Sequence, residues 1–437
     1  MKKVNYLLVS LLILFFSSTV AFANGKQENT KVQPKSVSIT FATGDTTTKE
    51  TIHEMVTAFN ASQDKYKLQE NLSISTGAYL DSLKTLNASG QMPDIFECRD
   101  VPVFVRAGML APLDSELKPL FDSLIPVYGT VYTAPIVAQY PYGIIYNKAL
   151  FQKNGINEEP KTYADFLAIC DQVKKLGIAP MAAGVADIWH IGFLFNHYLI
   201  DYVTHDNPNW VSDLYQGKTK FSSPEMEKAM TYLGNLFLDG NVEGGFMSTK
   251  ESQIVSLLVT EKAAMVYTGT WTIAQIQEAD PSFEIGFFPI PNDEGNIYLH
   301  GGATSQGWAL NTTAAADPDK AECFKEFVKF FFSSKEYAQF LQKTNSFPTT
   351  KEVMKYETSD LMKSILDMSN KYPKRLSWNI GVGDNELPPS FRNWTYKKVQ
   401  EMIMGKITVK QLLSDMDTQW ATDTRDFNPT KLVNQSL

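Results

Sequence analysis

The sequence predicts an α/β fold of two lobes that meet at a cleft, on three observations. Strand-like and helix-like hydrophobic periods alternate with short connections, and the alternation restarts near Tyr142. The 437 residues are enough for two or three domains whose cores need no disulfide or metal staple. Hydrophobic residues at 43% and charged residues at 20% belong to a globular chain rather than a disordered or fibrous one.

Taken in order, Val37, Ile39 and Phe41 alternate with polar residues as a strand does, and a turn at Gly44 to Thr48 follows. Ile52, Met55, Val56 and Phe59 then recur at helical spacing. A second strand is read around Tyr66 to Ile74, and a helix carrying Leu80, Leu83 and Leu86 stops at Gly90. Pro93-Asp94-Ile95-Phe96 reads as a short buried strand, so the sheet is expected to be largely parallel, with ligand sites in loops at strand carboxyl ends. Tyr142 to Asn147 opens the second lobe. Thr162 and Asp165 have the spacing of a capping box before the helix of Phe166, Leu167, Cys170, Val173 and Leu176, which Gly177 ends. Ser223-Pro224 and Asp317-Pro318 start two more helices, the second burying Phe324, Phe327, Val328 and Phe331. No repeat or long linker separates the lobes, so short crossings join them. Asp94 and Asn147 are expected to hold turns or cap elements through local backbone bonds.

The amino terminus reads as an export signal: Lys2 and Lys3, the apolar run Tyr6 to Phe16, then Ala21-Phe22-Ala23 as the cleavage pattern. Cleavage after about Ala23 leaves a polar leader at 24–36. No cysteine precedes Cys98, so a lipoprotein is not expected, and a soluble periplasmic protein is. Loss of the signal takes the net charge from −8 to −10, which disfavours nucleic acid or anionic membrane as a partner. Cys98, Cys170 and Cys323 match no metal-ligand spacing and are read as small buried hydrophobes.

Catalytic motifs are near-misses. Gly217-Lys218-Thr219 lacks the first glycine of a phosphate loop, where Ser212 stands, and His53-Glu54 lacks its second histidine, where Thr57 stands. Ser305 would need glycine at Ala303 to be a nucleophile elbow. No catalytic residue, metal ligand or cofactor is therefore assigned. Aromatic residues are 12% of the chain, and several fall in expected loops beside polar groups: Trp189 by His190, Trp271 after Gly269-Thr270, Trp378 by Asn379, and Phe391-Arg392-Asn393-Trp394. An aromatic plane with adjacent polar groups suits the apolar C–H face and hydroxyl edge of a sugar ring.

Ala88-Ser89-Gly90, Pro93-Asp94-Ile95, Gly108-Met109-Leu110 and Pro112-Leu113 resemble the first lobe of extracellular solute-binding proteins of family 1, the maltodextrin-binding type. Tyr146-Asn147-Lys148 with Leu150-Phe151, Pro160-Lys161-Thr162-Tyr163, Lys262-Ala263-Ala264-Met265 with Gly269 and Trp271, Gly286 with Pro289 and Pro291, and Gly405 with Thr408 extend the resemblance from about Val37 to Asp415. It implies a periplasmic-binding-protein type II-like fold, two α/β lobes joined by a hinge with a ligand cleft between them. One lobe would comprise 37–138 plus 290–344, and the other 139–289 plus 345–437. It also implies a monomeric, non-enzymatic component of an ABC importer that delivers a carbohydrate to a membrane permease.

Matched positions carry over as ligand contacts: Asp45 and Thr46; Phe96, Glu97 and Arg99; Gln139, an amide where relatives often have a carboxylate; Tyr142; Trp271; and Phe391 with Arg392. Trp189 and Trp378 join them as loop aromatics, and Gly301 and Gly302 as a turn that also offers backbone contacts. Polyamine, polyol phosphate and iron complex remain open as ligands, and a secreted glycoside hydrolase as another function.

Overall fold

The computed structural model describes residues 36–429 apart from 45–47, 72–73, 75–78, 139–140, 353–356, 389 and 428. The expected signal, most of the leader, and Asp45, Thr46 and Gln139 lie outside the described residues. In chain order the strands are β1 (Val37–Ala42), β2 (Tyr66–Glu70), β3 (Ile95–Cys98), β4 (Gly143–Asn147), β5 (Ala179–Ala182), β6 (Ala263–Thr268), β7 (Ile285–Phe288), β8 (Leu299–His300), β9 (Gly307–Leu310) and β10 (Lys374–Arg375). They form one sheet ordered β2-β1-β3-β9, a second ordered β5-β6-β4-β7, and a ribbon of β8 with β10.

The expectation of largely parallel sheets holds only in part. β1 pairs in parallel with β2 and β3, whereas β9 runs antiparallel to β3, with Ile95 opposite Leu310. In the second sheet β4 is antiparallel to both β6 and β7, and only β5 with β6 is a parallel pair. The reason is the route of the chain. β4 and β9 are each the first strand of a four-stranded sheet that the chain reaches after passing between sheets, and each runs against the strands it pairs with.

Local chemistry sets the elements much as their residues imply. The helix Lys49–Ser62 buries Ile52, Met55, Val56 and Phe59. Thr162 and Asp165 cap the helix Tyr163–Lys175 reciprocally, and Ser223 and Asp317 cap helices whose next residue is proline. Asn147 accepts from the Leu150 amide at 2.9 Å, ending β4 and starting a helix. Asp94 precedes β3 because its carboxylate is engaged: it accepts from the Thr40 amide at 2.9 Å and from Lys320 at 2.9 Å. One span is shorter than expected, and one helix buries a different face. β2 stops at Glu70, and the helix Tyr79–Ala88 buries Tyr79 and Leu83 while Leu80 and Leu86 are half-covered.

Each sheet has its own core. Around the first, Phe41, Trp308 and Phe327 meet with ring centroids 5.0 to 5.8 Å apart. Around the second, Phe221, Trp378, Phe391 and Trp420 form another aromatic cluster. Cys98, Cys170 and Cys323 are buried and unpaired, as small hydrophobes are. Among the described residues no helix is long and apolar enough to cross a membrane.

The join between β9 and the rest of its lobe is tight. Ala134 and Trp308 exchange both backbone hydrogen bonds at 2.9 Å, and a Cβ at Gly307 would drive into the Ala134 carbonyl. Gly307→Ala is expected to cost about 1 to 3 kcal/mol through overpacking, read as a lower urea midpoint with an unchanged slope. A wild-type midpoint would contradict this account of the glycine.

Candidate functional site

Five aromatic rings from four segments of the second lobe meet at one place. Tyr142 stands just before β4, Trp271 opens the helix Trp271–Ala279 after β6, Trp189 and Phe193 lie one turn apart on the helix Ile188–Leu199, and His300 ends β8. Tyr142 packs on Phe193 at 4.8 Å and edge-on to Trp271 at 5.3 Å, and Phe193 reaches Trp271 at 5.6 Å and Trp189 at 5.3 Å. Gly269 makes this possible, because a Cβ there would fall inside the folded-back Trp271 ring. Trp189 keeps 43% of its surface in solvent, while Trp271 and Phe193 are half-buried. The cluster is therefore a platform in which Trp189, Phe193 and Trp271 are in part exposed and Tyr142 and His300 are buried.

The underside is closely packed. Tyr142 is buried and stacks on His300 with centroids 3.9 Å apart and planes within 12°. His300 Nε2 hydrogen-bonds the Ser377 hydroxyl, and the Tyr142 amide donates to the His300 carbonyl at 3.1 Å. Burial, with His197 nearby, lowers the His300 pKa to about 3, and burial lowers that of His197 to about 3. Both imidazoles are thus neutral at physiological pH. His190, also buried, places Nε2 2.8 Å from the Glu251 carboxylate directly behind Trp189.

On the first lobe the polar groups gather at the end of β3. Glu97 accepts from the Thr43 hydroxyl at 2.8 Å, the Gly44 amide at 3.0 Å and Arg99 Nε at 2.6 Å. Burial pushes the Glu97 carboxyl up, but Arg99 and these hydrogen bonds outweigh it and hold the group below its ordinary range. Arg99 also lies over the Tyr79 ring at 5.8 Å. Across from it, Arg392 stands 3.5 Å from Asp100, so the two lobes touch through charge. Arg99, Asp100, Ser305, Asn379, Glu386 and Arg392 line one cavity between the lobes.

The residues proposed from sequence divide by this geometry. Tyr142, Trp189 and Trp271 come together in the platform, and Glu97, Arg99 and Arg392 at the polar seam. Three aromatic expectations are corrected. Phe96 is 0% exposed on β3 and packs edge-on to Phe104, because all four β3 side chains are buried in a sheet covered on both faces. Phe391 is likewise fully buried against Phe221 and Trp420, since it starts a helix with its ring inward and Arg392 outward. Trp378 is buried beside Phe195, its ring N–H donating to the Tyr396 hydroxyl at 3.3 Å. Gly301 and Gly302 form no turn: they continue from β8 beside β10, where the Gly301 amide donates to the Arg375 carbonyl at 2.9 Å, and Gly302 has φ +137°, which favours glycine. Sequence reading missed Phe193, whose signal was its place four residues after Trp189 on one helix face, and also His300, Asn379 and Glu386.

Comparison with known proteins gives this geometry a setting. The family model for bacterial extracellular solute-binding proteins matches residues 43–338. A multiple sugar-binding protein of Streptococcus mutans is 24% identical over 291 residues, which cover 64% of this chain and 68% of the relative. Across the curated relatives the matched stretch spans between 55% and 68% of their length. Among solved structures, a chitin oligosaccharide binding protein superposes with TM-score 0.78 at 24% identity, covering 89% of this chain and 99% of that one. A sugar transporter from Bacillus licheniformis in complex with stachyose gives TM-score 0.71 at 18% identity, over 89% and 100%. These likenesses establish the fold as type II-like, with two α/β lobes.

The neutral histidines carry a consequence for stability. An unfolded histidine binds a proton below about 6.5, while His300 and His197 in the folded chain do so only near 3. The unfolded state then binds more protons in that window, so stability falls as pH drops from about 6.5 towards 3. His300→Phe, which keeps a ring against Tyr142, is expected to flatten the fall in urea midpoint between pH 7 and pH 4. An unchanged pH profile would contradict the buried neutral state.

Proposed function

The chain belongs to the bacterial extracellular solute-binding protein family, and from that premise we propose that it is an exported receptor that captures a carbohydrate between its lobes and presents it to an ABC permease. The observation that carries the sugar reading is the platform of Trp189, Phe193 and Trp271, whose exposed faces suit C–H faces and stand with a cavity of amide, carboxylate and guanidinium groups in the same chain. The names of its relatives, for multiple sugars and chitin oligosaccharide, and the stachyose held by another, support the same class.

In this reading Trp271 and Trp189 stack on the sugar, with Arg99, Asp100, Asn379 and Arg392 supplying hydrogen bonds to its hydroxyls. Binding without turnover is the reading its family supports, and on the seam Glu97 is paired with Arg99 and Asp100 with Arg392. Asp45, Thr46 and Gln139 remain proposed contacts from the family resemblance. The first and last lobe boundaries are placed at 138/139 and 344/345. The middle one is moved from 289/290 to Gly301 and Gly302, because Ile290 packs in the second core and His300 stacks on Tyr142. A ligand touching both lobes favours the closed arrangement by its difference in affinity between open and closed states. The exported chain is proposed to work as a periplasmic monomer after cleavage near Ala23.

Isothermal calorimetry of the mature protein against chitin oligosaccharides, raffinose and stachyose is expected to find at least one stoichiometric ligand with no reducing sugar released. Trp271→Ala is expected to weaken that ligand by about 1 to 3 kcal/mol. Tight binding of a polyamine or a polyol phosphate with no response to any saccharide would overturn the sugar assignment.

A further inference from the structure

One contact across the seam is, among the described residues, the most buried charge pair between the lobes. The segment after Trp378 is fastened to the second lobe at several points. The Ser212 amide donates to Asn385 Oδ1 at 3.1 Å, Asn385 Nδ2 donates to Asn209 Oδ1 at 3.1 Å, the Tyr215 hydroxyl donates to the Glu386 carbonyl at 2.8 Å, and Leu387 packs in the second core. From this anchored backbone the Glu386 side chain reaches the other lobe. One of its oxygens accepts from Arg106 Nη1 and the other from the Tyr128 hydroxyl, and Arg106 also donates to that hydroxyl at 2.8 Å. The Glu386 side chain is 7% exposed and that of Arg106 19%.

The first-lobe partners are held for the purpose. Arg106 ends the helix Val101–Arg106, whose Val101, Phe104 and Val105 are buried in the first lobe. Tyr128 has φ +47°, a conformation that costs a non-glycine residue free energy, and it is kept there by the Val127 to Thr130 turn. Burial raises the Glu386 carboxyl above its ordinary range, and Arg106 and Tyr128 offset that only in part.

We propose that Glu386 is an interlobe latch, a positioning residue that holds the lobes together before any ligand arrives and so sets apparent affinity through the fraction of closed protein. The inference rests on the two-lobed receptor reading. Separating the lobes breaks both Glu386 hydrogen bonds at once, to Arg106 and to Tyr128, so the latch opposes opening by what those bonds are worth beyond the water the groups regain; the apparent dissociation constant is the intrinsic one divided by the competent fraction. The Arg392 and Asp100 pair is a second, more solvated contact on the same seam.

The test is small-angle scattering of the ligand-free mature chain as wild type, Glu386→Ala, Tyr128→Phe and the charge exchange Arg106→Glu with Glu386→Arg. Glu386→Ala is expected to lower the closed-to-open ratio about tenfold, read as a larger radius of gyration and maximum dimension. Tyr128→Phe should shift both in the same direction by less, and the charge exchange should return them towards wild type. A radius of gyration unchanged in Glu386→Ala, with its cooperative melt retained, overturns the latch. If Glu386→Ala does not fold, Tyr128→Phe decides by the same comparison, since it deletes one hydroxyl only. No sugar is present in these measurements, so failure of the carbohydrate reading and failure of the latch are read separately.

Discussion

The first sheet is not complete until the chain has passed into the second lobe and returned, and this constraint governs the rest of the molecule. β9 reaches the first sheet only after the second has been built, and pairs with β3 from Ile95 opposite Leu310 to Cys98 opposite Gly307. β4 lies between β6 and β7 in the second sheet, with Ile144 opposite Tyr267 on one side and Phe288 on the other. A lobe whose core contains strands from separated segments cannot be removed or replaced as one piece.

The candidate site inherits its character from these junctions. Tyr142 stands just before β4 and His300 ends β8, and their stacking ties the two strands together beside Trp271. The platform is therefore closely packed where it meets the lobe and exposed where it meets solvent. The opposite side is polar, and its groups are preset by mutual pairing rather than free: Glu97 is satisfied by Thr43, Gly44 and Arg99 before any ligand is considered. Preorganisation of this kind lowers the ordering cost of binding. The net charge of −8 for the whole chain fits solubility better than attraction of a neutral solute.

The local elements were legible because their signals are local. The Thr162 and Asp165 capping box, the Ser223-Pro224 and Asp317-Pro318 starts and the apolar face of Phe324, Phe327, Val328 and Phe331 each occupy a few consecutive residues. Strand direction was not legible, since it depends on where β4 and β9 come from rather than on what they contain. In the site, Trp189 and Trp271 could be distinguished from core residues only by the structure, because Phe96, Trp378 and Phe391 have the same chemistry and sequence surroundings yet point inward. The Glu386 partnership with Arg106 spans most of the sequence, and no spacing rule connects two such residues.

The most direct measurement of the central claim is a crystal structure of the mature protein with an oligosaccharide bound. The expected result is a sugar ring stacked on Trp271 or Trp189, with hydroxyls within hydrogen-bond distance of Arg99, Asp100, Asn379 or Arg392. A saccharide lodged away from these aromatic faces, or a non-sugar solute filling the space between the lobes, would contradict it.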